Sequence, residues 1–189
     1  LPGVIKVYEF GRFESQKSGV FSDRYGMTLE DFGGTALNQL GILGKLSLDK
    51  FLKLAIAIVR ILEAVHTQEI IHKDINPSNL VLNPNTEEIK LIDFGLATLF
   101  SQETATFQPP NQLKGTLAYL APEQTGRINR RIDYRTDFYS LGVTFYHLLT
   151  GQLPYASQDS LEIIHSHLAK EAIPPHLISP HIPPVVSEI

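Results

Sequence analysis

The segment from Ser47 to Gln68 constrains the fold more than any other stretch of this sequence, because its apolar residues recur at helical spacing on more than one side. Leu48, Phe51, Leu52, Ala55, Ile58, Val59, Leu62 and Val65 form the main stripe, flanked by Leu54, Ile56 and Ile61, and Ser47 is placed to cap the first turn. A helix this apolar belongs at the centre of a core. Downstream, Leu80-Val81-Leu82 and Ile89-Lys90-Leu91-Ile92 read as short strands joined through a turn at Asn83-Pro84-Asn85. A second strong helix spans Asp137 to Thr150, with Gly151 and Pro154 as its stop. Towards the amino end, Val4 to Phe10 and Tyr25 to Phe32 read as strands. Gly11 ends the first, Arg12 to Asp23 form a hairpin-like connection, and Gly33-Gly34 break the second. Thr35 to Leu40 and Ser160 to Lys170 are further helix candidates, and a proline-rich connection from Pro174 to Pro184 leads into a helix starting at Val185. Residues 96 to 121 show no period, and loops of that length inside a compact domain are usually functional.

At 189 residues with 43% hydrophobic side chains, one domain with a sizeable core is expected. A net charge of −4 sets up no field that would draw in a polyanion, which argues against nucleic acid or an acidic membrane surface as partner. The absence of cysteine excludes a disulfide framework and a thiolate metal site. No apolar run is long enough to cross a bilayer, the longest being Leu54 to Leu62, broken by Arg60, and nothing resembles a signal peptide. A cytoplasmic location is expected. The chain opens on Leu1 and stops at Ile189 within an amphipathic pattern, so it is expected to be a piece of something longer.

The chemistry concentrates in His72-Lys73-Asp74-Ile75-Asn76-Pro77-Ser78-Asn79, where a carboxylate and an amide sit five residues apart on a short loop. Asp93-Phe94-Gly95 follows the second short strand. One reading makes Asp74, Asn76 and Asn79 turn residues that satisfy their own backbone, and Asp93-Phe94-Gly95 an ordinary strand-ending turn. Two further stretches weigh against it: Gly115-Thr116-Leu117-Ala118-Tyr119-Leu120-Ala121-Pro122-Glu123, and Asp137-Phe138-Tyr139-Ser140-Leu141-Gly142.

In this order and spacing the four stretches resemble the catalytic loop, metal-binding triplet, end of the activation segment and buried anchoring helix of protein kinases. The Ala-Pro-Glu element and the long loop before it are similar to kinases acting on proteins rather than small molecules, and the Gly-Thr-x-x-Tyr-x-Ala-Pro-Glu form resembles serine/threonine kinases. The wording around Gln124 and Arg127, with Asp133 to Asp137, is similar to bacterial kinase domains at the front of large proteins in which an ATPase module and a sensor histidine kinase follow.

The resemblance implies an α+β, protein-kinase-like fold. Residues 1–32 would be a remnant of the smaller lobe, two strands and the hinge, and 33–189 the helical larger lobe, truncated before its last helices. It implies ATP and Mg2+ as cofactors, a protein substrate, and covalently linked signalling domains downstream. Residue by residue, Asp74 would be the catalytic base, and Asn79 and Asp93 would hold magnesium, which prefers a few hard oxygens with places left for water and phosphate. His72 would pack on Phe94 and set the triplet that Gly95 closes, while Glu123 and Asp137 would be structural. Thr116 would lie near the base and the substrate hydroxyl. Glu30, Asp31 and Phe32 would form the hinge that meets adenine, Leu29 would guard the pocket behind it, and Val81 would lie under the base. Val7 would join His72 and Phe94 in an apolar column.

Departures from the pattern matter equally. Asn76 stands where protein kinases usually carry a lysine that contacts the transferred phosphate, and Lys73 replaces an arginine that binds an activation-loop phosphate bidentately. Control through phosphorylation of Thr98, Ser101, Thr104 or Thr106 is therefore not expected to be required. No Gly-rich phosphate loop precedes Val4, and no strand lysine with a helix glutamate is evident. Activity is accordingly expected of the parent protein and not of this piece, with a kinase-shaped regulatory module, a pseudokinase, as the alternative. Glu123 is expected to be an under-satisfied buried carboxylate, since its usual arginine partner would fall beyond Ile189. Arg127, Arg130, Arg131 and Arg135 read as a solvated cluster with ion pairs to Asp133 or Asp137. His165 and His167 should point to different faces, and His66, His147, His176 and His181 have no evident partners.

Overall fold

The computed structural model describes residues 1–17, 20–102 and 117–188. Its centre is α1, Leu48–Thr67, whose first turn is capped by the Ser47 hydroxyl accepting from the Lys50 N–H at 3.4 Å. Phe51, Leu54, Ala55, Ile58, Ile61, Leu62 and Val65 are buried, and each large aliphatic side chain taken fully out of water contributes about 1.5–3 kcal/mol. The rest of the apolar stripe behaves differently. Leu52, Ile56 and Val59 stay exposed and line an apolar groove against Phe145 and Leu149, so the helix buries one broad face rather than its whole surface.

Against that face lie β5, Leu80–Leu82, and β6, Ile89–Leu91, an antiparallel pair in the register Leu80↔Leu91. Leu37, Ile75, Leu80, Leu91, Leu141 and Leu148 complete the core. The helix expected at Thr35 to Leu40 is instead β3, Thr35–Ala36, which pairs with β5, followed by a 3-10 turn over Leu37–Gln39 that drops Leu37 into the core. At the amino end, Val4 makes a parallel bridge to Leu91, and the Leu91 N–H donates to the Gly3 carbonyl at 2.8 Å.

The two expected strands are present as β1, Val7–Lys17, and β2, Val20–Leu29, antiparallel to each other. Both are longer than the sequence pattern implied. Gly11 does not end β1: it lies opposite Gly26 in the ladder, a pair with no side chains to accommodate. Two strands escaped the sequence reading, β4, Ile70–Ile71, and β7, Thr98–Leu99, which pair antiparallel.

Helix α2, Tyr134–Thr150, starts three residues before the expected Asp137, because the Asp133 carboxylate caps it by accepting from the Arg135 N–H at 2.9 Å. Gly151 ends it at φ 73°, donating to the His147 carbonyl at 2.9 Å. Helix α3, Ser160–Ala169, matches expectation, with His165 exposed and His167 buried. The proline-rich connection contains a short helix, α4, Pro175–Ile178, and α5 covers Pro184–Ser187. No described helix is long and apolar enough to cross a membrane.

Candidate active site

The site hangs from Asp137, which is fully buried in the first turn of α2. Its carboxylate accepts from the backbone N–H of His72 at 2.9 Å, from that of Lys73 at 2.7 Å and from Nε2 of His66 at 2.8 Å. A buried carboxylate is tolerated when its lone pairs are met in this way. Lys73 is thereby held at φ 66°, a left-handed conformation that costs a residue with a Cβ roughly 1–2 kcal/mol.

Immediately after that strained residue comes Asp74. One carboxylate oxygen accepts from Nδ2 of Asn76 at 2.8 Å, and the other from Nδ2 of Asn79 at 2.8 Å. Both amides also donate to the Asp74 carbonyl, Asn79 at 2.9 Å and Asn76 at 3.2 Å. Burial raises the Asp74 carboxyl above its ordinary value, and the two amides partly oppose that shift. A positioned carboxylate with a raised affinity for protons suits the acceptance of a hydroxyl proton. Asn76 is thus turned onto Asp74, and its Oδ1 accepts from the Ser78 N–H at 2.8 Å.

Asp93 is also left-handed, at φ 62°, and its Oδ1 accepts from the Gly95 N–H at 3.1 Å. Phe94 meets the His72 ring edge to face at 4.7 Å between centroids. Nε2–H of His72 donates to the Ile92 carbonyl at 3.1 Å, which leaves Nδ1 to accept from the Asp74 N–H at 3.3 Å. That is the neutral tautomer, and burial lowers the His72 imidazole below its usual value. The expected column does not extend to Val7: this side chain is 55% exposed and only lines the neighbouring cavity.

The donor set suits magnesium. The amide nitrogen of Asn79 is committed to Asp74, leaving Oδ1, and Asp93 keeps Oδ2. Of the two, Asp93 lines open space while Asn79 is buried, and a few protein oxygens are what this ion usually takes when phosphates and water supply the remainder. Among the described residues there is no cluster of three or more His, Asp or Glu side chains that would suggest a fully protein-built metal cage.

A cavity of about 840 Å³ opens beside Asp93 and is lined by all of Leu29, Glu30, Asp31, Phe32 and Val81. Gly34 in its wall has no room for a side chain, since a Cβ would come within 2.6 Å of Val81. The segment Glu30 to Phe32 is tied to the β5–β6 hairpin from two sides. Nδ2 of Asn83 donates to the Phe32 carbonyl at 2.8 Å, while Lys90 pairs with Glu30 and lies 4.5 Å over the Phe32 ring. Lys90 holds the Glu30 carboxyl below its ordinary range. Neither Asn83 nor Lys90 stood out in the sequence.

Thr116, Thr104 and Thr106 lie outside the described residues. Glu123, expected to be under-satisfied, has a partner: the Thr136 hydroxyl donates to it at 2.7 Å. Of the arginines, Arg135 makes the expected ion pair with Asp133, at 2.6 Å, whereas Asp137 is spent on His66 and the backbone of His72 and Lys73. Two histidines without evident partners have them, His66 on Asp137 and His147 on the Tyr119 hydroxyl at 2.7 Å, both reached across the fold rather than along the chain.

Burial lowers the imidazoles of His72, His147 and His167 below the ordinary 6.5, so each takes up a proton more readily unfolded than folded. Stability should be full above about pH 6.5 and decline below it. Asp74 acts in the opposite sense, because its raised folded value favours the folded state only at pH values approaching carboxylate titration. The urea midpoint is therefore expected to fall between pH 7.5 and 5.5, and a flat or rising midpoint would count against the buried, neutral histidines.

The sequence matches the protein kinase domain model over residues 2–187. Among its relatives are a probable serine/threonine-protein kinase of Clostridium perfringens, 30% identical over 100% of this chain and 26% of the relative. Serine/threonine-protein kinase PknA of Mycobacterium tuberculosis is 33% identical over 100% of this chain and 41% of its own length. A probable serine/threonine-protein kinase PknB of Lactococcus lactis is 29% identical over 100% of this chain and 28% of its own length. The chain thus spans between a quarter and two fifths of the length of these relatives. With the family model covering nearly every residue and the loop, triplet and anchoring helix arranged as above, the chain belongs to the protein kinase family.

Proposed function

We propose that the protein carrying this chain phosphorylates serine or threonine of a protein substrate with ATP and magnesium. The observation that carries this reading is the Asp74 carboxylate, clamped by the Asn76 and Asn79 amides at 2.8 Å each, between the buried anchor of α2 and the Asp93 triplet. Asp74 orients the substrate hydroxyl and accepts its proton. Asn79 and Asp93 would hold magnesium, which when bound would neutralise phosphate charge. Leu29, Glu30, Asp31, Phe32 and Val81 receive the adenine. Asn76 acts on Asp74 rather than on the phosphate. The parent works in the cytoplasm, with further signalling domains attached downstream.

The chain holds the base and metal side of the reaction but carries no Gly-rich phosphate loop and no paired strand lysine. Residues 1–189 alone should give no turnover with labelled ATP under conditions in which the full-length protein does. Turnover by the fragment that Asp74→Asn removes would overturn that division of labour. A second reading, a regulatory module without turnover, draws on one observation: the residue two positions after Asp74 is an amide turned inward, not a cation. In that case the full-length protein would bind nucleotide and transfer nothing.

A further inference from the structure

We propose that Gln124 is a positioning residue, which fixes the peptide unit between Lys73 and Asp74 and so couples the turn after the Ala-Pro-Glu element to the aim of the Asp74 carboxylate. This rests on the phosphotransfer reading for its kinetic consequence, but its geometry stands apart from it. Asn76 and Asn79 grip the Asp74 side chain and its carbonyl, which belongs to the peptide unit after Asp74, and leave the unit before it to other partners. That peptide follows a left-handed residue, Lys73 at φ 66°, and such a conformation persists only when its surroundings over-determine it.

The restraints can be named. The Lys73 N–H donates to Asp137 at 2.7 Å and the Asp74 N–H to Nδ1 of His72 at 3.3 Å. On the other side, the Lys73 carbonyl accepts from Nε2 of Gln124 at 2.8 Å. Oε1 of the same amide accepts from the Ala121 N–H at 3.0 Å. The amide is therefore oriented by both partners, because flipping it would set donor against donor and acceptor against acceptor. Only an amide of this length both accepts from one backbone and donates to the other.

Gln124 is itself held in place. It sits in the 3-10 turn Pro122–Thr125, where the Thr125 hydroxyl donates to the Pro122 carbonyl at 2.6 Å. Its neighbour Glu123 accepts from Thr136 at 2.7 Å, one residue before Asp137. The N-terminal turn of α2 thus reaches the catalytic loop twice, directly through Asp137 and indirectly through Glu123 and Gln124. A shift of the 117–126 segment is transmitted to the Lys73–Asp74 peptide by this amide, while the nucleotide cavity, which Gln124 does not line, is left alone.

The test uses Gln124→Ala and Gln124→Glu in the full-length protein. Both should lower kcat about tenfold or more with KM for ATP unchanged, the rate being referred to the folded fraction measured by circular dichroism, because a loss of folded protein alone would also lower the apparent kcat at constant KM. Glutamate retains the acceptor for Ala121 but, ionised, faces the Lys73 carbonyl with a second acceptor. Its activity relative to the parent protein should therefore rise as the pH is lowered and the carboxyl gains a proton to donate, a recovery the alanine variant lacks. Independently of turnover, the Asp74 amide should exchange with deuterium at least tenfold faster in Gln124→Ala, with the core amide of Leu80 unchanged. An unchanged kcat, or an unchanged Asp74 exchange rate in a folded variant, would overturn the proposal. If the parent protein transfers no phosphate at all, the phosphotransfer reading fails and the exchange measurement alone decides the positioning role.

Discussion

Asp137→Ala is expected to cost about 3–5 kcal/mol of stability, enough to unfold a marginally stable domain. The reason is the number of donors that depend on one buried carboxylate: the N–H groups of His72 and Lys73 and Nε2 of His66 all lose their acceptor together. Water replaces the lost acceptor poorly, because Asp137 and His72 are both 0% exposed and the His66 side chain is only 13% exposed. Lys73 also loses part of what holds it in its left-handed conformation. Asp137→Asn keeps one acceptor oxygen and should fall between the parent chain and alanine. Urea unfolding followed by circular dichroism measures the effect, and a loss below about 1 kcal/mol for alanine would show that the anchor is dispensable.

Asp74→Asn has the opposite profile, with a large effect on rate and a small one on stability. In the full-length protein kcat should drop by roughly 10²–10⁴, the usual contribution of a positioned proton acceptor, while KM for ATP stays within about twofold. The side chain lies outside the hydrophobic core and its burial disfavours the charged form, so an uncharged amide of the same shape should leave the thermal midpoint little changed. A variant with kcat within a factor of about three of the parent would remove Asp74 from the chemistry.

Local signals in the sequence carried far because much of this fold is built from local patterns. The period of α1, the Ser47 cap and the Gly151 stop are all written within a few residues of where they act. The four motifs likewise pointed to the loop, the triplet and the anchoring helix, where Asn79 bonds Asp74 and Asp137 bonds the backbone of His72 and Lys73. What stayed hidden is what depends on contact across the chain. His66 and Asp137 are 71 residues apart, Gln124 and Lys73 51, and no spacing rule links either pair. The β4–β7 pair is two residues long on each side, too short for alternation to register. Asn76 shows the difference most clearly. By sequence it is a substitution that removes a cation, whereas in the fold its amide is half of the clamp on the Asp74 carboxylate. Gly11 erred the other way, since a glycine that breaks a strand and one that faces another glycine across a ladder look the same in one dimension.

The most direct measurement is transfer of label from γ-labelled ATP by the full-length protein, with and without magnesium, followed by analysis of the phosphorylated amino acid. Label on serine or threonine that requires magnesium and disappears in Asp74→Asn is the predicted result. Nucleotide bound without any transfer, or transfer that survives Asp74→Asn, would contradict the assignment of this site.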